Sequence, residues 1–122
     1  MKKIIAVSIS ILILSGCAIN KGTNKYINKK IGIDISKSNI MDAIKNAEIN
    51  KINNAYYLEN DASTAISKIK DNIDTLIVDP PRAGLTSMGI KHIFSANPKK
   101  IIYISCNPKT LVRDLKELLN KY

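Results

Sequence analysis

Ile101-Ile102-Tyr103-Ile104-Ser105-Cys106-Asn107-Pro108 is an apolar run that stops abruptly on a thiol. Four consecutive β-favouring residues predict a buried strand, and Asn107 followed by Pro108 predicts a helix N-cap with proline at the first helical position. Cys106 then stands at a strand-to-helix corner. A thiol there faces the crevice above the carboxyl edge of a sheet, near the positive end of the next helix, a setting that favours a nucleophilic thiolate. The alternative is a small buried cysteine that behaves as a hydrophobe.

A second strand-end motif lies upstream, where Leu76-Ile77-Val78 runs into Asp79-Pro80-Pro81-Arg82-Ala83-Gly84-Leu85. Two prolines forbid continued strand or helix, so a carboxylate and a guanidinium are fixed in an extended loop at the sheet edge. Asp79-Pro80-Pro81-Arg82, Ser105-Cys106-Asn107-Pro108 and the trailing Thr110-Leu111-Val112-Arg113-Asp114-Leu115, in this order and spacing, resemble the RNA uracil-C5 methyltransferases. These bacterial enzymes make 5-methyluridine in transfer or ribosomal RNA with S-adenosylmethionine.

Between and before these motifs the pattern is regular. Ile31 to Ile35 predicts a strand, with Ser36 or Ser38 capping a helix whose stripe is Ile40, Ala43, Ile44 and Ala47. Ala55 to Glu59 predicts the next strand, Ala65, Ile66 and Ile69 a brief helix, and Thr75 to Val78 another strand. Thr86 to Ala96 predicts a helix, Lys100 to Ser105 a strand, and Pro108 to about Asn120 a last helix with Leu111, Leu115, Leu118 and Leu119 as its apolar face. Four alternations argue for βαβ units, a parallel sheet and an α/β fold. With the resemblance, the expected fold is an incomplete doubly wound, Rossmann-like sheet of the class I methyltransferase type. Ligands of such sheets bind beyond the carboxyl ends of the strands, where Asp34, Asp61, Asp79 and Cys106 all fall.

Each candidate also has a structural reading. Asp34 suits the ribose hydroxyls of the cofactor, because a carboxylate accepts two donors at once, and equally suits the cap of the next helix. Asp61 resembles the acid that faces the adenine, yet Asn60-Asp61-Ala62-Ser63 is also a helix start. Asp79 is placed by the resemblance in the cofactor and substrate pocket. Arg82 and Asn107 are the candidate substrate-binding residues, Arg82 through RNA phosphate or through a carboxylate that steadies the loop. Arg113 and Asp114 are expected to stabilise the last helix locally, and His92 to be solvated. Cys17, Cys106 and His92 have no metal-ligand spacing, and no disulfide is expected.

The resemblance implies a specific chemistry. Uracil C5 is too weak a nucleophile to take a methyl group, so Cys106 adds at C6 and pushes electron density onto C5. A base then removes the C5 proton and the sulfur leaves. In the family that base is a glutamate downstream of the cysteine motif, and Glu117 does not match its place. A glycine-rich turn after the first strand is also expected, whereas only Gly16 and Gly22 are near.

The formal charge of +9, from 19 Lys+Arg against 10 Asp+Glu, suits RNA or an anionic membrane surface. With 122 residues the chain holds one small domain. Lys2-Lys3, the apolar Ile4 to Leu14 and Leu14-Ser15-Gly16-Cys17 have the composition of a lipoprotein signal, with Cys17 as the lipidation candidate. The competing reading is a first core strand, from the alternation of Val7, Ile9, Ile11 and Ile13. The expected layout is a signal-like segment at 1–17, a polar linker at 18–30 and a partial catalytic domain at 31–122.

Three function classes follow: a truncated cytoplasmic methyltransferase with RNA as partner, a membrane-anchored lipoprotein whose body descends from that domain and only binds, or two gene pieces joined by error. An exposed sheet edge makes self-association a further expectation.

Overall fold

The computed structural model describes residues 3–7, 17–21, 29–69 and 72–122. The apolar runs form strands and the periodic stretches between them form helices, in the order β1 (Lys3–Val7), β2 (Cys17–Lys21), β3 (Lys29–Asp34), α1 (Lys37–Ile49), β4 (Ala55–Glu59), α2 (Ala62–Lys68), β5 (Thr75–Val78), α3 (Ser87–Ala96), β6 (Lys100–Ile104) and α4 (Pro108–Leu118). Each helix begins on a side chain that accepts a backbone N–H: Ser36 for α1, Asp61 for α2, Thr86 for α3 and Asn107 for α4. Those are the residue types that satisfy the orphan donors of a first turn. Helix α3 stops at Asn97, which takes a left-handed φ of 49°.

The six strands form one sheet in the order β1-β6-β5-β2-β3-β4. Strands β1, β6 and β5 run parallel, as do β3 and β4. β2 runs antiparallel to both of its neighbours, β3 and β5. The α/β expectation therefore holds, and the expectation of a parallel sheet throughout is corrected. The reason is chain length: only residues 22–28 separate β2 from β3, fewer than the dozen or so that a parallel crossover needs.

The register builds two apolar rows across the sheet. Ile31, Leu76 and Ile101 share one row, with Ile19 at the β2 position, and Ile33, Val78 and Tyr103 share the next, with Cys17 at the β2 position. All six of the β3, β5 and β6 residues are buried, and Ala65 and Ile66 of α2, Ile73 before β5, Ile90 and Ile93 of α3, and Leu118 of α4 complete the same cluster. On the opposite face Gly32, Ile77, Ile102 and Ile104 are half-buried. Burial is thus heavier on one face. Ile44 and Leu119, expected on apolar stripes, are exposed, because α1 buries only Ile40, Ala43 and Ala47, and Leu119 is already the cap beyond α4.

The signal-segment expectation is not borne out. Lys3–Val7 pairs with β6 from Lys3↔Lys100 to Val7↔Ile104, and the Cys17 backbone lies in register between Ile33 and Val78. Cleavage before Cys17 would remove β1. Most of the alternating stretch behind the first-strand reading, Ile9, Ile11 and Ile13, lies outside the described residues, as do Gly16 and Gly22. No helix among the described residues is long and apolar enough to cross a membrane.

Helix α3 offers an internal comparison of buried and exposed side chains. Ile93 is 1% exposed and Met88 57%. Ile93→Ala is expected to lower stability by about 2–5 kcal/mol in urea denaturation, and Met88→Ala to change it by less than about 0.5 kcal/mol.

Candidate functional site

Strands β5 and β6 are adjacent and parallel with Val78 opposite Tyr103, so the chain leaves both at the same sheet edge. Asp79 follows the first strand, and Ser105-Cys106 follows the second. β3 points the same way as β5, since both oppose β2, and it ends on Asp34 at that edge. Asp34, Asp61 and Asp79 line one cavity of about 460 Å³, whose apolar part includes Ile33, Ile66, Val78 and Ile93. Cys106 shares the edge but is not among the residues lining this cavity.

The three carboxylates differ in what already holds them. Buried Asp34 accepts the Ser36 backbone N–H at 2.7 Å and the Asn39 side-chain amide at 3.1 Å, so it ties the end of β3 to the start of α1. Asp61 is exposed and accepts the Ser63 hydroxyl and, at 3.0 Å, the Thr64 N–H. Those bonds, the Ser63 hydroxyl foremost, hold its carboxyl below the usual range. Asp79 is half-buried, and burial pushes its carboxyl above the usual range. Among the described residues no hydrogen bond or ion pair engages it. It is the one acid of the three without such a partner among the described residues.

The thiol of Cys106 is unpaired and exposed, which removes the alternative of a buried hydrophobe. Its corner is tied by hydrogen bonds. Ser105 Oγ accepts the Asn107 N–H and donates to the Asn107 carbonyl, both at 3.0 Å, and Asn107 Oδ1 accepts the Lys109 N–H at 3.1 Å. Asn107 Nδ2 donates to the Arg82 carbonyl at 3.1 Å, so both of its amide atoms serve the chain itself. The Arg82 side chain is exposed, with no hydrogen bond or ion pair on its guanidinium among the described residues.

Arg113 and Asp114 reach far beyond their own helix, which corrects the expectation of a local role. Asp114 is 1% exposed and accepts the Leu85 N–H at 2.6 Å and the Tyr103 hydroxyl. Arg113 holds Asp114 Oδ1 through Nε at 2.8 Å and Nη2 at 2.7 Å, and its Nη2 also donates to the carbonyls of Ala83 and Leu85. One sequence signal was available. Asp114 falls on the apolar stripe of Leu111, Leu115 and Leu118, where a charge is tolerated only with dedicated partners. His92 is half-buried rather than solvated, with Nδ1 buried and without a hydrogen-bond partner among the described residues. No cluster of three or more His, Cys, Asp or Glu suited to a metal ion exists among the described residues.

A family model described as tRNA (Uracil-5-)-methyltransferase matches residues 18–122. An uncharacterized RNA methyltransferase of Clostridium acetobutylicum is 39% identical over 92 residues, covering 75% of this chain and 20% of that protein. One from Listeria innocua is 44% identical over 94 residues, covering 75% and 21%, and one from Caldanaerobacter subterraneus is 38% identical over 93 residues, covering 76% and 21%. The chain therefore spans about a fifth of the length of these curated relatives.

The state of Asp79 has a consequence for stability. A carboxyl raised in the folded protein contributes fully while it is protonated, and that contribution is lost as pH rises through its raised value. Asp79→Asn is expected to melt at a higher temperature than wild type at pH 7, and the two curves to converge below about pH 4, near the ordinary aspartate range. Melting followed by circular dichroism across that range checks it.

Proposed function

The chain belongs to the tRNA (uracil-5-)-methyltransferase family, and from that premise we propose that its body is part of an RNA methyltransferase catalytic domain acting on C5 of uracil in transfer or ribosomal RNA. The observation that carries the reading is the placement of the Asp79 loop and the Cys106 corner after two neighbouring parallel strands. In this reading the sheet is an incomplete doubly wound sheet of the class I methyltransferase type, and the protein works in the cytoplasm.

The cavity fits the adenosine part of S-adenosylmethionine in size and in chemistry. About 460 Å³ falls within the range of small-ligand sites, with apolar side chains for a base and carboxylates for hydroxyl and amino donors. Asp79 would accept from the ligand with a carboxylate that has no hydrogen bond or ion pair among the described residues. Asp61 would accept through lone pairs that its helix cap leaves over, since a carboxylate offers about four such sites, and Asp34 would line the same wall. When bound, the cofactor would supply an electrophilic methyl group, its S–CH3 bond breaking so that it leaves as the thioether S-adenosylhomocysteine.

The part played by the chain's own residues is nucleophilic. The Cys106 sulfur forms a bond to C6 of uracil, and the displaced electron pair makes C5 nucleophilic enough to take the methyl group. Loss of the C5 proton to a base restores the double bond as the C6–sulfur bond breaks, so the thiolate returns unchanged. Asn107 and Ser105 fix the corner from which the sulfur projects. Arg82, exposed beside it, suits an RNA phosphate, for which a guanidinium offers paired donors. The net charge of +9 favours the polyanion further.

The test is release of tritium from RNA labelled at uridine C5, with S-adenosylmethionine present. The intact protein is expected to release tritium, and Cys106→Ala to lose that release by on the order of 10³-fold or more. Equal release by both would reject the thiolate route, and none from the intact protein would reject catalysis by this chain.

A further inference from the structure

The Asp79–Leu85 loop has almost no means of holding itself. Pro80 and Pro81 carry no N–H, and within the loop the bond from Gly84 N–H to the Pro81 carbonyl, at 2.8 Å, closes a single turn. Among the described residues, α4 and its cap add most of the side-chain hold on its backbone, beside the Tyr103 hydroxyl of β6 near the Leu85 N–H. Asn107 and Thr110 donate to the Arg82 carbonyl at 3.1 and 3.3 Å, Arg113 donates to the Ala83 and Leu85 carbonyls at 2.8 and 3.2 Å, and Asp114 accepts the Leu85 N–H. Positions 107, 110, 113 and 114 recur at helical spacing, so they form one polar line along α4.

The other side of the same loop is a wall of the cavity, formed by Asp79, Pro80, Pro81, Gly84 and Leu85. We infer that Arg113 is a positioning residue: by holding two loop carbonyls and aiming Asp114 at the Leu85 amide, it sets the wall of the cavity and the place of Asp79. A planar guanidinium can serve Asp114 and the carbonyls together, whereas a lysine ammonium offers no such fork. The loop approaches this pair so closely that Gly84 is required. Its φ is +82°, and a Cβ there would lie 2.5 Å from Asp114 Oδ2 and 2.6 Å from Arg113 Nη2. Because α4 begins at the Cys106 corner, the same helix ties the two halves of the site together. The ligand arm of the test below rests on the cofactor reading above, and the loop arms do not.

The experiment compares wild type, Arg113→Ala and Arg113→Lys by three readouts: tryptic cutting after Arg82 under native conditions, hydrogen exchange of the Leu85 amide against amides of β5 and β6, and calorimetric binding of S-adenosylhomocysteine. In Arg113→Ala, cutting at Arg82 and exchange at Leu85 are expected to rise at least tenfold while the strand amides stay as slow as in wild type. Affinity for S-adenosylhomocysteine is expected to fall at least fivefold, with Arg113→Lys intermediate in all three. Loop and strand amides that speed up together, or a loop as protected as in wild type, would overturn the positioning role. Should Arg113→Ala not fold, Arg113→Lys alone decides, since it keeps a charge beside Asp114. If wild type does not bind S-adenosylhomocysteine, the cofactor reading fails, and the loop arms still decide the role of Arg113.

Discussion

One buried carboxylate, Asp114, governs the geometry of this sheet edge. Taking a carboxylate out of water costs several kcal/mol, and the cost is met only when its lone pairs are filled with good geometry. Here a guanidinium, a backbone N–H and a phenol fill them. Tyr103 is suited to its part: burial first, and then the bond to Asp114, push the hydroxyl well above the ordinary tyrosine range, so it remains a donor. Buried ion pairs add little net stability compared with apolar packing. The pair here joins three elements, α4, β6 and the loop after β5, through one carboxylate.

That constraint explains how an extended, proline-rich loop can form a cavity wall at all. Strand pairing ends at Val78 because Pro80 and Pro81 cannot donate to a ladder. Without a ladder the backbone groups of the segment have no strand partners, and the polar line of α4 takes the Arg82, Ala83 and Leu85 carbonyls and the Leu85 N–H instead. One helix thus fixes the Cys106 corner at its start and the wall bearing Asp79 two turns later. Displacing either motif requires moving the same rigid element.

Much of this was legible in the sequence, for identifiable reasons. The strands before Asp34, Asp79 and Cys106 are short apolar runs, and Ser36, Asp61, Thr86 and Asn107 are cap types in cap positions, so local chemistry and tertiary structure agree there. The direction of β2 was not legible, because Cys17–Lys21 lacks the continuous apolar character of a central parallel strand and reads as the start of a polar linker. The reach of Arg113 and Asp114 was hidden differently. Adjacent opposite charges on a helix have the same sequence signature whether they meet each other in solvent or a loop some thirty residues away, and only the place of Asp114 among leucines separates the two.

Charge is divided along the edge in a way that suits the proposed chemistry. Asp34, Asp61 and Asp79 make the cavity negative, while Arg82 and Lys109 stand exposed by the Cys106 corner. A polyanion is repelled from the first region and drawn to the second, over a range set by the Debye length of about 8 Å at physiological salt. Under the proposed reading, a nucleic acid can then lie across the corner with one base at the sulfur without its phosphates competing for the cavity. A cofactor that carries a cationic sulfonium has the opposite preference. Under that reading two ligands of opposite charge share a single sheet edge, and the loop held by Arg113 bears both Asp79 and Arg82.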